Sequence, residues 1–246
     1  MKLEVHIHTK YSKDSLLSLF LLYMKCVMFR IDWVAITEHN NIDGALNFKK
    51  FCEKHGKKVN VIVGEEILTT KGEIIGLYLT ENIPPLLSPT ETIDRVKKQG
   101  GVVYVPHPYD EKRYKTVLSE EDIKLNKDRI DCIEIYNGRN VSHEYAIKQR
   151  EIAEKYDLPF VVGSDAHTWI EIGRIYMLCP EMDLSTAENF KKLLTEVKFE
   201  TKPCIKISHQ ITKVAKLFKL LVRGNINELC RIIFKKLERY VHKGSQ

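Results

Sequence analysis

Short aliphatic runs and amphipathic stretches alternate along the chain as far as residue 200. The runs LEVHIHT, DWVAIT (32–37), VNVIVGEEILT (59–69), GEIIGLYLT (72–80), GVVYVPHP (101–108), IDCIEIYN (130–137), PFVVGSDAH (159–167) and RIYMLCP (174–180) predict strands. Between them, apolar residues at helical spacing predict helices over 15–29, 43–55, 89–99, 142–157 and 185–196, whereas the charged stretch from 109 to about 129 reads as irregular. Aliphatic strands alternating with helices predict an α/β protein with a mainly parallel sheet covered by helices, and about seven repeats predict closure into a barrel. Beyond residue 204 the period is helical only, with Val214, Leu217, Leu220 and Leu221 followed by Leu229, Ile232, Ile233 and Leu237. Gly224 and Asn225 divide that segment into two helices. The expected organisation is a barrel over 1–204 and a helical C-terminal extension over 205–246.

The first run breaks its own pattern. Successive side chains of a strand point to opposite faces, so His6 and His8 share a face where two aliphatic residues would be expected. Two adjacent buried imidazoles need four hydrogen-bond partners in a small volume, or one metal ion. His39, Glu66, His107, Asp165 and His167 also fall at or just past the ends of strand segments, which in a β/α barrel meet at one mouth. Imidazoles with carboxylates suit Zn, Mn or Fe better than Ca or Mg.

Composition narrows the class without changing it. With 246 residues, 43% hydrophobic and 29% charged, the chain is an ordinary globular one with room for a single large domain and an appendage. The net charge of +6 is uneven, because residues 205–246 hold ten Lys/Arg against two Asp/Glu. Six cysteines stand apart, at 26, 52, 132, 179, 204 and 230, which favours reduced thiols in a reducing compartment. The most apolar run, LLSLFLLYM at 16–24, is about half a membrane span and reads as a core-facing helix. The chain starts directly on a strand-like segment, so neither a signal peptide nor a transmembrane segment is expected, and the expected location is the cytoplasm.

Six motifs then fall into a known order: His6-Ile7-His8-Thr9, Ser12-Lys13-Asp14, Thr37-Glu38-His39-Asn40, Gly64-Glu65-Glu66-Ile67, Pro106-His107-Pro108 and Gly163-Ser164-Asp165-Ala166-His167. Together they resemble the PHP (polymerase and histidinol phosphatase) metal-dependent phosphoesterases over roughly residues 3–180. The resemblance implies a distorted seven-stranded barrel holding two or three divalent ions, Zn, Mn or Fe, at its mouth. It assigns His6, His8, Glu66 and Asp165 to a first ion, with Glu66 bridging to a second held by His107, and Asp14, His39 and His167 to a third. It implies metal-assisted hydrolysis of a phosphate ester, with Glu66, His107, His167 and Glu38 at the reacting centre. Two departures stand out: no histidine follows the Glu66 motif on the next strand, where either Glu73 substitutes as a ligand or the second site is open and weak, and Glu38 stands where relatives have Asp.

Arg113, Arg139 and Asn137 follow strand ends near the same mouth and are candidate phosphate contacts, since the guanidinium fork matches phosphate oxygens. The remaining histidines, His209 among them, fall on helices and read as bland. The basic extension has three readings: a helical cap with its apolar stripe on the barrel and its lysines in water, a basic surface recruiting RNA or DNA, or a membrane-surface helix. Its aromatics, Phe218, Phe234 and Tyr240, are too few to support base stacking. The expected function is a phosphoesterase acting on a small organic monophosphate or a nucleotide. The alternatives are a 5′ exonuclease or nucleotide phosphatase on short nucleic acids, and a catalytically silent metal- or nucleic-acid-binding module.

Overall fold

A computed structural model describes residues 1–232; Ile233, Phe234, Leu237 and Tyr240 lie outside the described residues. In chain order the elements are β1 (Lys2–Ile7), α1 (Leu19–Phe29), β2 (Trp33–His39), α2 (Asp43–Lys54), β3 (Asn60–Thr69), β4 (Gly72–Leu77), α3 (Pro89–Lys98) and β5 (Val102–Val105). They continue with α4 (Glu120–Asn126), β6 (Cys132–Asn137), α5 (His143–Lys155), β7 (Phe160–Gly163), β8 (Tyr176–Leu178), α6 (Ala187–Leu193), β9 (Lys198–Glu200) and α7 (Lys206–Val222).

One sheet takes nine strands in the order β7-β6-β5-β4-β3-β2-β1-β8-β9, which corrects the expected seven. β1 to β7 curl into a nearly closed barrel, sealed where Ile7 bridges Ala166 and the His8 N–H donates to the Ala166 carbonyl at 2.8 Å. β8 and β9 extend the sheet outward from β1 in antiparallel pairing. The sheet is mixed where it was expected to be mainly parallel, because β4 runs against both β3 and β5. The cause is local. Thr69 pairs with Gly72, so only Thr70 and Lys71 join β3 to β4, and a two-residue connection closes only an antiparallel hairpin. That reversal carries the start of β4 back to the barrel end that β3 has just reached.

The packed interior joins residues from every strand of the barrel, with Leu3, Val5, Ile62, Ile74, Tyr104, Ile133 and Val161 fully enclosed or nearly so. A second cluster, including Ile7, Leu22, Ile36, Ala45 and Phe48, fixes α1 and α2 against β1 and β2. Helix ends follow side-chain caps. Ser18 accepts from the Leu21 N–H and starts α1 four residues later than the apolar pattern implied, and Ser88 with Glu91 forms a capping box on α3. The stretch read as irregular contains α4, whose first turn is capped by Ser119.

α7 does not pack as an apolar cap. Val214 and Leu221 are exposed along with Ile207, Phe218 and Val222, Leu217 and Leu220 are half-buried, and the buried residues of α7 are Ser208 and Ala215. The helix turns polar residues inward because what lies beneath it is the polar mouth of the barrel.

Candidate metal centre and active site

The strand ends bring the candidate ligands together at that mouth. His6 Nε2 lies 3.4 Å from Glu66 Oε1 and 3.7 Å from Asp165 Oδ1, and His8 Nε2 lies 3.4 Å from both Glu66 Oε2 and Asp165 Oδ1. His39 Nδ1 approaches Glu66 Oε2 at 2.9 Å and His107 Nε2 approaches Glu66 Oε1 at 3.1 Å, so Glu66 stands at the centre of four imidazoles. Asp14 Oδ1 lies 3.4 Å from both His39 Nε2 and His167 Nε2. Glu73 joins them, 3.9 Å from His39 and 3.6 Å from His107, because β4 returns to the mouth and Glu73 shares a face with Glu66 across the hairpin. Three groups meet the spacing of a common ion: His6 with His8 and Glu66, His8 with His39 and His167, and His39 with Glu66 and Glu73.

Left-handed backbone occurs at two of these residues and beside a third, His39. Asn40, His107 and Asp165 have φ of 54°, 29° and 50°, a region costly for residues other than glycine and one that recurs where structure is committed to a site.

The donor set fits divalent ions. His6 Nε2, His8 Nε2 and Asp14 Oδ1 are enclosed with no hydrogen-bond partner among the described residues, a costly state for a polar atom unless something else completes it. Ligand atoms separated by about 3.4 Å are also what a tetrahedral ion with bonds of roughly 2.1 Å imposes. Burial pushes the His8 imidazole down to about 3, with His167 and His39 adding to the effect, so it is a neutral donor. Burial alone would push the Glu66 carboxyl up, yet the facing His39 and His6 rings hold it well below the usual carboxylate range. Asp165 stays low against its own burial through Arg113 and His6. Glu73 is the exception: burial and the neighbouring Glu66 charge push it up to about 7.

A cavity of about 290 Å³ opens over this cluster, lined by Lys13, Asp14, His39, Glu66, Glu73, Arg113, Thr116, Arg139, Asp165, His167, His209 and Thr212. A larger groove of about 550 Å³, bordered by Lys49, Tyr78 and Asp183, holds none of these side chains. Arg113 and Arg139 both reach the cavity. Arg113 Nη1 donates to Asp165 Oδ2 at 2.6 Å and its Nε pairs with Asp110. Asn137 sits behind the wall, where its Nδ2 donates to Glu134 at 2.8 Å and its Oδ1 accepts the Arg139 N–H. Glu38 lies outside the cavity lining, with both oxygens taken by the Thr9 N–H and hydroxyl and by Ser12, whose hydroxyl meets His8 Nδ1 at 3.2 Å.

The sequence reading missed several groups. Glu134 pairs with His6 Nδ1 at 3.1 Å and accepts from Tyr104, the His107 N–H and Asn137, tying three strands to the cluster. Its signal was present, a carboxylate set between two isoleucines in the run IDCIEIYN. Lys13 stood inside a quoted motif without a role. His209 and Thr212 carried no local signal, since nothing in a helical period tells which part of a barrel the helix will cross.

A barrel whose mouth gathers imidazoles and carboxylates around a small polar cavity defines a candidate centre for divalent metal ions. The chain belongs to the PHP domain family, whose model matches residues 4–244. It is 36% identical over 220 residues to the uncharacterized protein MJ0417 of Methanocaldococcus jannaschii, covering 87% of this chain and 86% of that one. Among solved structures, it is similar to a two-domain protein of Bacteroides vulgatus described as containing a predicted PHP-like metal-dependent phosphoesterase, with a TM-score of 0.64 at 17% identity. That match covers 82% of this chain but only 64% of the Bacteroides protein, so the chain spans less than two thirds of its length. PsfC of Pseudomonas syringae superposes with a TM-score of 0.62 at 16% identity, covering 90% of this chain and 98% of that one. At such identities these structures report on the fold alone.

Proposed function

We propose that the protein is a metal-dependent phosphoesterase that hydrolyses a phosphate monoester of a small organic molecule or a nucleotide. The observation that carries this reading is the convergence of His6, His8, Glu66 and Asp165, with the two unpaired imidazole nitrogens facing carboxylate oxygens. Those four, with His107 and Glu73 on one side and Asp14, His39 and His167 on the other, are the groups that would hold two or three divalent ions. Divalent ions bound there supply Lewis-acid polarisation of a phosphoryl group and make hydroxide available at neutral pH.

The chain's own residues supply the rest. Glu134 fixes the His6 ring, and Ser12, held by Glu38, fixes the His8 ring, so both present Nε2 to the carboxylates of Glu66 and Asp165. Arg113, Arg139 and the exposed Lys13 add positive charge along the wall, where phosphoryl oxygens would find donors. The cavity's modest volume, with α7 contributing to its wall, supports a small monoester over a polymer. The alternative, cleavage of short nucleic acids, draws on the basic extension and would be favoured by release of nucleotides from RNA or DNA oligomers. The test is phosphate release from a panel of small monoesters and oligonucleotides with Mn or Zn added. His6→Ala and Asp165→Asn are expected to lower kcat/KM at least 1000-fold, roughly 4 kcal/mol of transition-state stabilisation. Activity unmoved by both would refute the reading.

A further inference from the structure

α7 meets the site through Arg139, and the contact is directional. One guanidinium nitrogen, Nη2, donates to Thr212 Oγ1 at 3.0 Å and faces His209 Nδ1 at 3.3 Å. The Thr212 hydroxyl has already spent its hydrogen on the Ser208 carbonyl at 2.9 Å, so its oxygen can only accept from the arginine. Because arginine has no acceptor, His209 Nδ1 must be the unprotonated nitrogen of the ring. Nε2 then carries the hydrogen toward Cys204 Sγ at 3.2 Å. Burial and the adjacent Arg139 charge hold His209 below the ordinary imidazole range, in line with this neutral form.

The other guanidinium nitrogen, Nη1, faces Glu171 Oε1 in an ion pair at 3.6 Å, with both side chains almost fully buried. Neither atom has a hydrogen bond among the described residues, and Glu171 Oε2 is occupied by the His167 N–H and by Thr168, so the pair is a long one. Arg139 thus borders the cavity with its charge only partly answered, a place for an anionic oxygen ligand. At its other end α7 is pinned over the same mouth, since Lys219 Nζ donates at 2.6 Å to the carbonyls of Lys10 and Ser12, in the loop that follows His8.

We propose that α7 is part of the phosphate-binding site: Thr212 and His209 are positioning residues that hold the Arg139 guanidinium at the cavity wall, where it meets a phosphate oxygen of the substrate. This rests on the phosphoesterase reading for its substrate but on the Arg139 contacts for its residues. The helix thereby sets which phosphates bind well, because a group too large for the cavity cannot reach Arg139 without displacing α7.

The test uses the full metal-loaded chain and two readouts, the Kd for inorganic phosphate by calorimetry and the split between KM and kcat on a small aryl phosphate. Thr212→Val, which keeps the shape and removes the acceptor, is expected to weaken phosphate binding and raise KM about tenfold while kcat changes less than threefold. Thr212→Ser restores both to within twofold, and His209→Phe shifts them in the same direction as Thr212→Val. In an Arg139→Ala background Thr212→Val changes neither. Wild-type values for Thr212→Val, an equal effect in the Arg139→Ala background, or no restoration by serine each overturn the inference. A protein inert on every ester whose phosphate affinity still depends on Thr212 sinks the phosphoesterase reading and spares this one. Turnover with phosphate affinity indifferent to Thr212 does the reverse, and a wild type that binds no phosphate and turns over nothing ends both.

Discussion

The Nε2 atoms of His6 and His8 face carboxylate oxygens because the other nitrogen of each ring is already committed, to Glu134 in one case and to Ser12 in the other. A ligand whose far side is held in this way keeps one tautomer and one orientation. Burial pushes Glu134 up, but His6, which lies against it, brings it below the ordinary carboxylate range, so it meets the ring as an anion. Glu134→Gln keeps the shape and removes that charge, and the expected result is a 10- to 100-fold loss in kcat/KM with a parallel loss of metal affinity. Steady-state kinetics and chelator competition would measure it, and unchanged values for both would show that the pair is only structural. The ligands themselves were readable because a polar side chain at an inward position of an aliphatic strand contradicts its surroundings, as His6 and His8 do. Glu134 contradicts them equally but belongs to no quoted motif, while Thr212 and His209 depend on where a distant helix comes to rest.

At the scale of elements, the alternation of strands and helices was legible because burial on both faces demands aliphatic runs, and most segments begin within a few residues of the expected position. What the pattern did not carry is direction. β4 reads like any other strand, and only the two-residue connection to β3 makes it antiparallel and returns Glu73 to the mouth. Nor did it carry β9, three residues with little apolar content, or α4, with too few apolar positions to show a period. Close approach between elements is testable at Gly163, which ends β7. A Cβ there would strike Glu134 Oε1 and sit 2.8 Å from the Tyr104 hydroxyl and 2.9 Å from His6 Cβ. Gly163→Ala therefore forces β7 away from β6 and β1, at an expected cost of about 1–3 kcal/mol in urea unfolding. Because the clash falls on Glu134, activity should drop as well. A variant with wild-type stability and wild-type activity would mean that the barrel yields more readily than its packing implies.

For the molecule as a whole, the open issue is what the extension does for the barrel. All of the net positive charge lies beyond residue 204, and the described part of that segment buries little: Ser208 and Ala215 are enclosed, whereas Val214, Phe218, Leu221 and Val222 are exposed. No helix among the described residues is long and apolar enough to cross a membrane. The half-buried Leu217 and Leu220 contribute on the order of 1 kcal/mol each. Ordering the helix costs conformational entropy that offsets part of that gain. A chain ending at residue 204 is therefore expected to fold, with an unfolding free energy within about 3 kcal/mol of the full protein. It would, however, lack the Thr212 and His209 contacts to Arg139 and the Lys219 contacts to the loop after β1. The expected signature is a cooperative urea transition near the original midpoint, with KM for a small monoester raised about as much as in Thr212→Val. If the extension serves instead to gather polyanions, the shortened chain keeps its KM on small esters and loses only salt-sensitive binding of RNA or DNA. Should it aggregate or unfold, the helix is a structural cover of the barrel, the polyanion-gathering reading falls, and the effect of α7 on KM is read from Thr212→Val in the full chain.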